Sequence, residues 1–332
     1  MKIAAKILFA VLFCSIPVCS QQPVETDEIR VETSLVSVPV RVTDRRNRNI
    51  TGLEKKNFRV YEDGIEQTVE SFEDNNAPLT VAIMLDASNS TTAQLKNIKA
   101  AAAAFLDRLR PHDRVMIFSF DRNLVKIADG TIRDLPSIQN SISLSQTGGG
   151  TSLYDSVVAV NQNYLGEIGG RKALIILTDG IDTQSVSQTS AGSLRAMEEA
   201  DVLVYSIQYD TVQDTLKAKK AFSDASFGST VEYVTARGER LPAAFKNGTL
   251  YLNFLTDSTG GKAFYADTTG NLSKTFAKIA LELSQVYSLS YYPTNQTTDG
   301  KRRKIKTATD APKTVVQSRR AYVYTRTKVK SN

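Results

Sequence analysis

Three short polar clusters hold the residues able to do chemistry in this chain. Asp86-Ala87-Ser88-Asn89-Ser90 follows the apolar run Leu79 to Leu85. Gly148-Gly149-Gly150-Thr151 precedes Leu153. Thr178-Asp179-Gly180 follows the apolar run Ala173 to Leu177. Their candidate ligands are two carboxylates, Asp86 and Asp179, and the hydroxyls of Ser88, Ser90 and Thr151, with no nitrogen or sulfur donor. A donor set made only of hard oxygens suits Mg²⁺, Mn²⁺ or Ca²⁺. Two aspartates balance a divalent charge. The ion is then neutral overall, partly hydrated and able to accept a carboxylate from a partner.

Other chemistry is poorly supplied. The chain of 332 residues has two cysteines, Cys14 and Cys19, and one histidine, His112. A structural zinc site needs several such ligands, and a hydrolytic triad would rest on His112 alone. His112, in Pro111-His112-Asp113, reads as a loop residue before a strand. The glycines 148 to 150 are followed by no Gly-Lys-Ser/Thr, which excludes a phosphate loop. No G-x-G-x-x-G follows the first buried strand, so no dinucleotide is expected.

The elements that must position these clusters are legible in three zones. In residues 21–77, Val36, Val38, Val40 and Val42 alternate with Ser37, Pro39, Arg41 and Thr43, the period of a half-buried strand. Pro39 predicts an edge position for that strand. Phe58 to Tyr61 and Gln67 to Phe72 flank Glu62-Asp63-Gly64, a hairpin signal. In residues 78–286, buried apolar strands alternate with helices. The strands are Leu79 to Leu85, Val115 to Phe120, Ala173 to Leu177, Val202 to Ile207 and Lys262 to Tyr265, with Leu124 to Ala128 antiparallel to the second. The helices carry Leu95 to Leu109, Leu153 to Leu165, Ser193 to Ala200 and Leu272 to Val286. Tyr251, Phe254 and Phe264 are assigned to the core. Repeated βα units give an α/β, doubly wound, mostly parallel sheet, and such sheets bind ligands beyond the carboxyl ends of their strands. In residues 287–332, Tyr287, Leu289 and Tyr291 alternate, and Arg303 to Thr307 and Val315 to Tyr324 read as strands. The two β zones are expected to form one small flanking unit built from both chain ends.

Residues 1–20 read as a signal peptide. Lys2 and Lys6 precede an apolar run from Ile7 to Val18, and small residues lead to a cut after Ser20. The alternative is an N-terminal anchor that is kept, a lipid on Cys19 included. No later run has the length of a transmembrane helix. The composition, 41% hydrophobic and 23% charged, is that of a globular protein. Charge is uneven: residues 299–330 hold 11 basic and 2 acidic side chains within a net charge of +6. Tyr322, Val323 and Tyr324 alternate with basic residues there, as on a solvated strand face, and an export signal argues against a nucleic-acid partner.

The clusters also carry a resemblance. Asp86, Ser88 and Ser90 match the D-x-S-x-S of the metal-ion-dependent adhesion site in the von Willebrand factor A (VWA) domain family. Thr151 in GGGTSLYD matches its single threonine and Asp179 in LTDGID its later aspartate. VPVRVTD, LEKKNFRVYEDGIEQTVESF, APLTVAIMLDASNS and the terminal YSLSYYP … SRRAYVY resemble secreted, acidobacterial-type VWFA-related proteins. The resemblance implies a Rossmann-like VWA fold and a Mg²⁺-dependent protein-binding or cell-adhesion module rather than an enzyme. It implies a secreted protein, periplasmic or extracellular, that holds a partner's Asp or Glu, with Ser88, Ser90 and Thr151 as oxygen ligands and the aspartates often acting through water. Asn89, Ser152 and Asp182 would rim that contact. Two other readings remain. A metal-dependent phosphohydrolase also places an Asp at the end of a first buried strand, but many such enzymes need a second carboxylate two residues on as general acid, where this chain has Ser88. The other is a structural envelope protein with a vestigial site. Asp182 and Ser185 either cap the next helix or support the site from outside it.

Overall fold

The computed structural model describes residues 35–46, 48–91, 95–144, 148–212, 234–266 and 271–324. The N-terminal segment read as a signal peptide or anchor lies outside the described residues, as do the last eight.

The chain opens with four strands, β1 (Val36–Asp44), β2 (Phe58–Glu62), β3 (Ile65–Gln67) and β4 (Val69–Glu73). Asp63 and Gly64 turn the β2–β3 hairpin, both with positive φ (48° and 87°), which the Asp-Gly pair predicts. Then the period changes. β5 (Leu79–Asp86) is followed by α1 (Leu95–Leu106), β6 (Arg114–Phe120), β7 (Leu124–Thr131), α2 (Leu135–Leu144) and α3 (Leu153–Val160). Next come β8 (Arg171–Thr178), α4 (Ser190–Glu199), β9 (Leu203–Tyr209), α5 (Leu241–Thr259), β10 (Lys262–Ala266) and α6 (Leu272–Leu283). The chain closes with β11 (Val286–Tyr291), β12 (Arg302–Thr309), β13 (Thr314–Ser318) and β14 (Ala321–Val323).

The central sheet has the order β10-β9-β8-β5-β6-β7. All its pairs are parallel except β6 with β7. It is open and covered on both faces, which is why β5 and β8 read as unbroken apolar runs. On one face Val81, Ile83, Ile175 and Ile207 pack against Ile98 and Phe105 of α1, Ile138 of α2, and Phe276 and Ile279 of α6. On the other, Ala82, Met84, Leu174 and Ile176 pack against Leu153 and Val157 of α3, Met197 of α4, and Tyr251 and Leu255 of α5.

The early and late strands pair with one another. They form two four-stranded sheets, β13-β1-β11-β4 and β14-β12-β2-β3, which share a core of Val38, Val40, Val42, Phe58, Val60, Tyr287, Leu289, Tyr291, Ile305 and Tyr322. In that core Glu62 receives the Arg303 guanidinium at 2.8 Å and the hydroxyls of Tyr291 and Tyr322 at 2.7 Å each.

Four details differ from the sequence reading. β1 is an inner strand, flanked by β13 and β11, not an edge. Its pairing with β13 begins at Val40, so Pro39 sits one residue beyond that ladder and meets the requirement for an unpaired flank locally. The expected strand from Val315 to Tyr324 is two strands, broken at Arg319-Arg320. Arg319 is buried and donates to the carbonyls of Glu198 and Ala200, where α4 ends. Helices α2 and α5 carry no element in the reading. Phe254, assigned to the core, is 63% exposed, because it lies on the outer side of α5.

Candidate metal centre

The sheet order brings the first and third clusters together. β5 and β8 are neighbours, with Leu85 opposite Leu177, so Asp86 and Asp179 leave adjacent strands at the same carboxyl edge. Both carboxylates are fully buried. The Ser90 hydroxyl donates to Asp179 Oδ2 at 2.8 Å, and the Ser88 and Ser90 hydroxyl oxygens lie 3.0 Å apart. The Ser88 amide donates to Asp86 Oδ1 at 2.9 Å. Four of the five residues therefore form one chain of contacts. Ser90 is half-buried and Asn89 exposed, which marks where this cluster opens to solvent.

The fifth residue arrives on the loop before α3. Gly148 N donates to Ala87 O at 2.7 Å and Asn89 N to Gly149 O at 3.4 Å, which lays this loop along the first. A Cβ at Gly148 would meet the Asp121 carboxylate, so glycine lets that side chain lie against the loop. Thr151 is buried. Its amide donates to Thr183 Oγ1 at 2.8 Å, and its carbonyl accepts from the amides of Thr183 and Gln184, at 2.8 Å each.

A second tier of hydroxyls was missed at the sequence level. Thr178 donates to Asp86 Oδ2 at 2.6 Å, and Thr211 donates to Asp179 Oδ2 at 2.7 Å. The Gln208 side-chain amide holds the Asp179 carbonyl at 2.8 Å. Thr211 lies just beyond the end of β9, the same edge of the sheet, so the rule that pointed to the clusters also pointed there. Beneath this loop Gly180 (φ 85°) meets Gly248 of α5 so closely that a Cβ at 248 would collide with the Gly180 carbonyl oxygen.

Asp182 and Ser185 are capping groups, but for α3 rather than the helix that follows them. Asp182 Oδ2 accepts the Tyr154 amide at 3.1 Å, and Ser185 Oγ accepts the Asp155 amide at 3.0 Å. The Arg237 guanidinium neutralises Asp182 at 2.7 Å. The next helix, α4, is capped by Thr189, which accepts from Gly192 N. His112 is exposed in the turn before β6.

Electrostatics set this centre apart. Burial and the negative charge of Asp179 push the Asp86 carboxyl up to about 7 from 3.8. Burial also raises Asp179, against the hydrogen bonds from Ile181 N, Thr211 and Ser90. Among the described residues neither carboxylate has an ion-pair partner at the distances that join Glu62 to Arg303. Two like charges buried side by side are costly without a cation, so the donor set fits a divalent ion. Among the described residues no three His, Cys, Asp or Glu side chains are grouped to cage a metal. An ion here would therefore depend on hydroxyls and water besides the two carboxylates.

Residues 81–181, which include all five positions, match the family model described as von Willebrand factor type A domain. An uncharacterized protein of Synechocystis sp. is 29% identical over 110 residues, which is 32% of this chain and 26% of that protein. The chain thus matches about a quarter of that relative's length. Among solved structures, BatB from Bacteroides thetaiotaomicron is 15% identical, with 63% of this chain and 98% of that one covered and a TM-score of 0.43. A von Willebrand factor type A protein from Catenulispora acidiphila is 10% identical, with coverages of 89% and 75% and a TM-score of 0.45. Proximal thread matrix protein 1 from the mussel byssus, solved with a zinc-occupied MIDAS motif, is 14% identical, with coverages of 67% and 49% and a TM-score of 0.47. The stretch from 81 to 181, within the open α/β sheet, is thus similar to the von Willebrand factor type A domain.

Proposed function

We propose that this protein is an exported binding module that holds an acidic side chain of a protein partner through a divalent cation, Mg²⁺ by preference. The observation that carries this reading is the pair of fully buried carboxylates, Asp86 and Asp179, with hydroxyl and amide donors around them. Ser88, Ser90 and Thr151 would be the oxygen ligands. Asp86 and Asp179 would balance the charge, through water or directly, while Thr178 and Thr211 each donate to an Oδ2 and hold these carboxylates in place. A bound Mg²⁺ supplies an open coordination position that takes a carboxylate oxygen.

The partner's carboxylate would enter beside Ser90 and Asn89, the exposed side of the cluster. Export is supported by the charged and apolar pattern of residues 2–18. No helix among the described residues is long and apolar enough to cross a membrane. A phosphohydrolase is disfavoured, because Ser88 stands where a general acid is needed and the described residues around the cluster supply hydroxyls instead.

Calorimetric titration of the full chain with Mg²⁺ and Mn²⁺ tests the reading. Binding at millimolar concentration or tighter is expected, lost in Asp86→Ala with Ser88→Ala. No binding by the unaltered protein sinks the metal centre. Turnover of a generic phosphoester in Mg²⁺, abolished by Asp86→Asn, replaces the binding module with an enzyme.

A further inference from the structure

The loop after Asp179 ends in an unusual presentation. Val186 is 91% exposed, the most exposed large apolar side chain among the described residues. Yet its backbone is fixed. The Asp155 carboxylate, in the first turn of α3, accepts the amides of Val186 at 2.9 Å, Ser187 at 3.1 Å and Gln188 at 2.6 Å. One residue earlier, the Arg237 guanidinium holds the Ser185 carbonyl at 2.6 Å. With three consecutive amides held by one half-buried carboxylate, the loop keeps its valine outward.

The place of this side chain is as informative as its exposure. Thr183 and Gln184 donate to the Thr151 carbonyl, and Val186 is two residues farther on, at most about 7 Å of chain. Valine is β-branched, which restricts its χ1. Burying it against a partner therefore costs little ordering, while the gain from removing apolar surface from water is kept.

The geometry points to Val186 as a fixed apolar contact beside the metal centre, so that the partner's recognition element is an acidic side chain with an aliphatic or aromatic neighbour two or three residues away. Two or three residues of extended strand, about 3.3 Å each, match the step from the Thr151 carbonyl through the Gln184 amide, 2.8 Å away, and on to Val186. The inference rests on the metal-dependent reading proposed above and adds the second half of the ligand to it. It distinguishes this centre from a bare carboxylate trap, which would take any exposed Asp or Glu.

The test uses the full chain and an array of synthetic hexapeptides. Each peptide carries Asp, Glu, Asn or Gln at one place and Gly, Ser, Lys, Leu, Ile or Phe two or three residues away, read in Mg²⁺ and in chelator. Peptides pairing an acid with Leu, Ile or Phe should bind roughly tenfold more tightly than those pairing it with Ser or Gly. That preference should vanish in Val186→Ser and return in Val186→Ile. The Mg²⁺-induced shift in melting temperature should be equal in all three proteins, which shows the centre intact. An apolar preference unchanged in Val186→Ser, or absent in the unaltered protein, overturns the inference and leaves the metal reading standing. Binding indifferent to chelator and to the acid-to-amide change overturns the metal reading, and this inference with it.

Discussion

The chain buries carboxylates in two ways. Glu62, in the paired β sheets, has an arginine and two tyrosine hydroxyls, all within 2.8 Å. Arg303 is itself held by the carbonyls of Asn295 and Thr297 and stacks on the Tyr324 ring, 4.5 Å from its centroid. That network is closed, and nothing from outside is needed to balance it. Asp86 and Asp179 have comparable burial and well-made hydrogen bonds, but their donors are hydroxyls and amides without charge. The difference separates a charge that finishes a core from one that awaits a counter-ion. Depth of burial alone does not tell them apart, since both are nearly complete.

The largest effect should come from opening the closed network. Arg303→Met leaves Glu62 buried with only two neutral donors, and should cost about 3–5 kcal/mol, read by urea unfolding. A loss below 1 kcal/mol would mean that Glu62 needs no cation, and the contrast would fail.

The second effect concerns pH without metal. The Asp86 carboxyl has a folded value of about 7 against 3.8, so the folded state holds the proton more tightly. Its contribution to stability is full below pH 3.8 and is lost as pH rises through 7. Comparing the unaltered protein with Asp86→Asn in chelator isolates this term from other carboxylates. Between pH 4 and 8 the variant should gain on the order of 2–4 kcal/mol relative to the parent. Parallel stability profiles would refute the rise assigned to burial and the Asp179 charge.

A third, similar effect is the response to metal. Mg²⁺ at a hundred times its dissociation constant should stabilise the native state by about 2.7 kcal/mol. It should do so in Arg303→Met as well, because that network is separate, but not in Asp86→Asn. Smallest is Thr183→Ala, which removes the acceptor of the Thr151 amide. It should weaken Mg²⁺ binding by about 1 kcal/mol with little change in the melting temperature of the metal-free protein. A loss of melting temperature without a change in Mg²⁺ binding would make Thr183 a folding residue instead.

The open network was the more legible of the two. Asp86, Ser88, Ser90 and Asp179 follow unbroken apolar runs, and the rule for parallel sheets says that such ends face a ligand, while Thr151 follows three glycines before a helix. Their supports were hidden. Thr178 stands in the third cluster and Thr211 just beyond β9, but their carboxylates lie 92 and 32 residues away, so nothing local ties either hydroxyl to its partner. Glu62 was hidden more deeply, since its partners lie 229 to 260 residues off and its own neighbours spell only a hairpin. α5 escaped notice for a local reason. Pro242 and Gly248 argue against a helix by propensity, yet the first lies in its opening turn, and the second is needed where the helix crosses Gly180. Pro39 misled because the edge it demands belongs to a single residue, not to the strand.

One feature of the topology bears on mechanics. The α/β sheet and its helices depart from β4 and return at β11, and those two strands are antiparallel neighbours, with Leu289 opposite Phe72. The first described strand, β1, is laced between β11 and β13. A pull applied at Leu35 and Tyr324 would load the paired β sheets first, from the end where Val36 faces Tyr291. The α/β part would hang from two adjacent points as a side branch, bypassed by the tension. In a protein tethered at one end and gripping a partner at Ser90 and Val186, load would instead enter through the branch, and the β4–β11 ladder would be the seam that carries it.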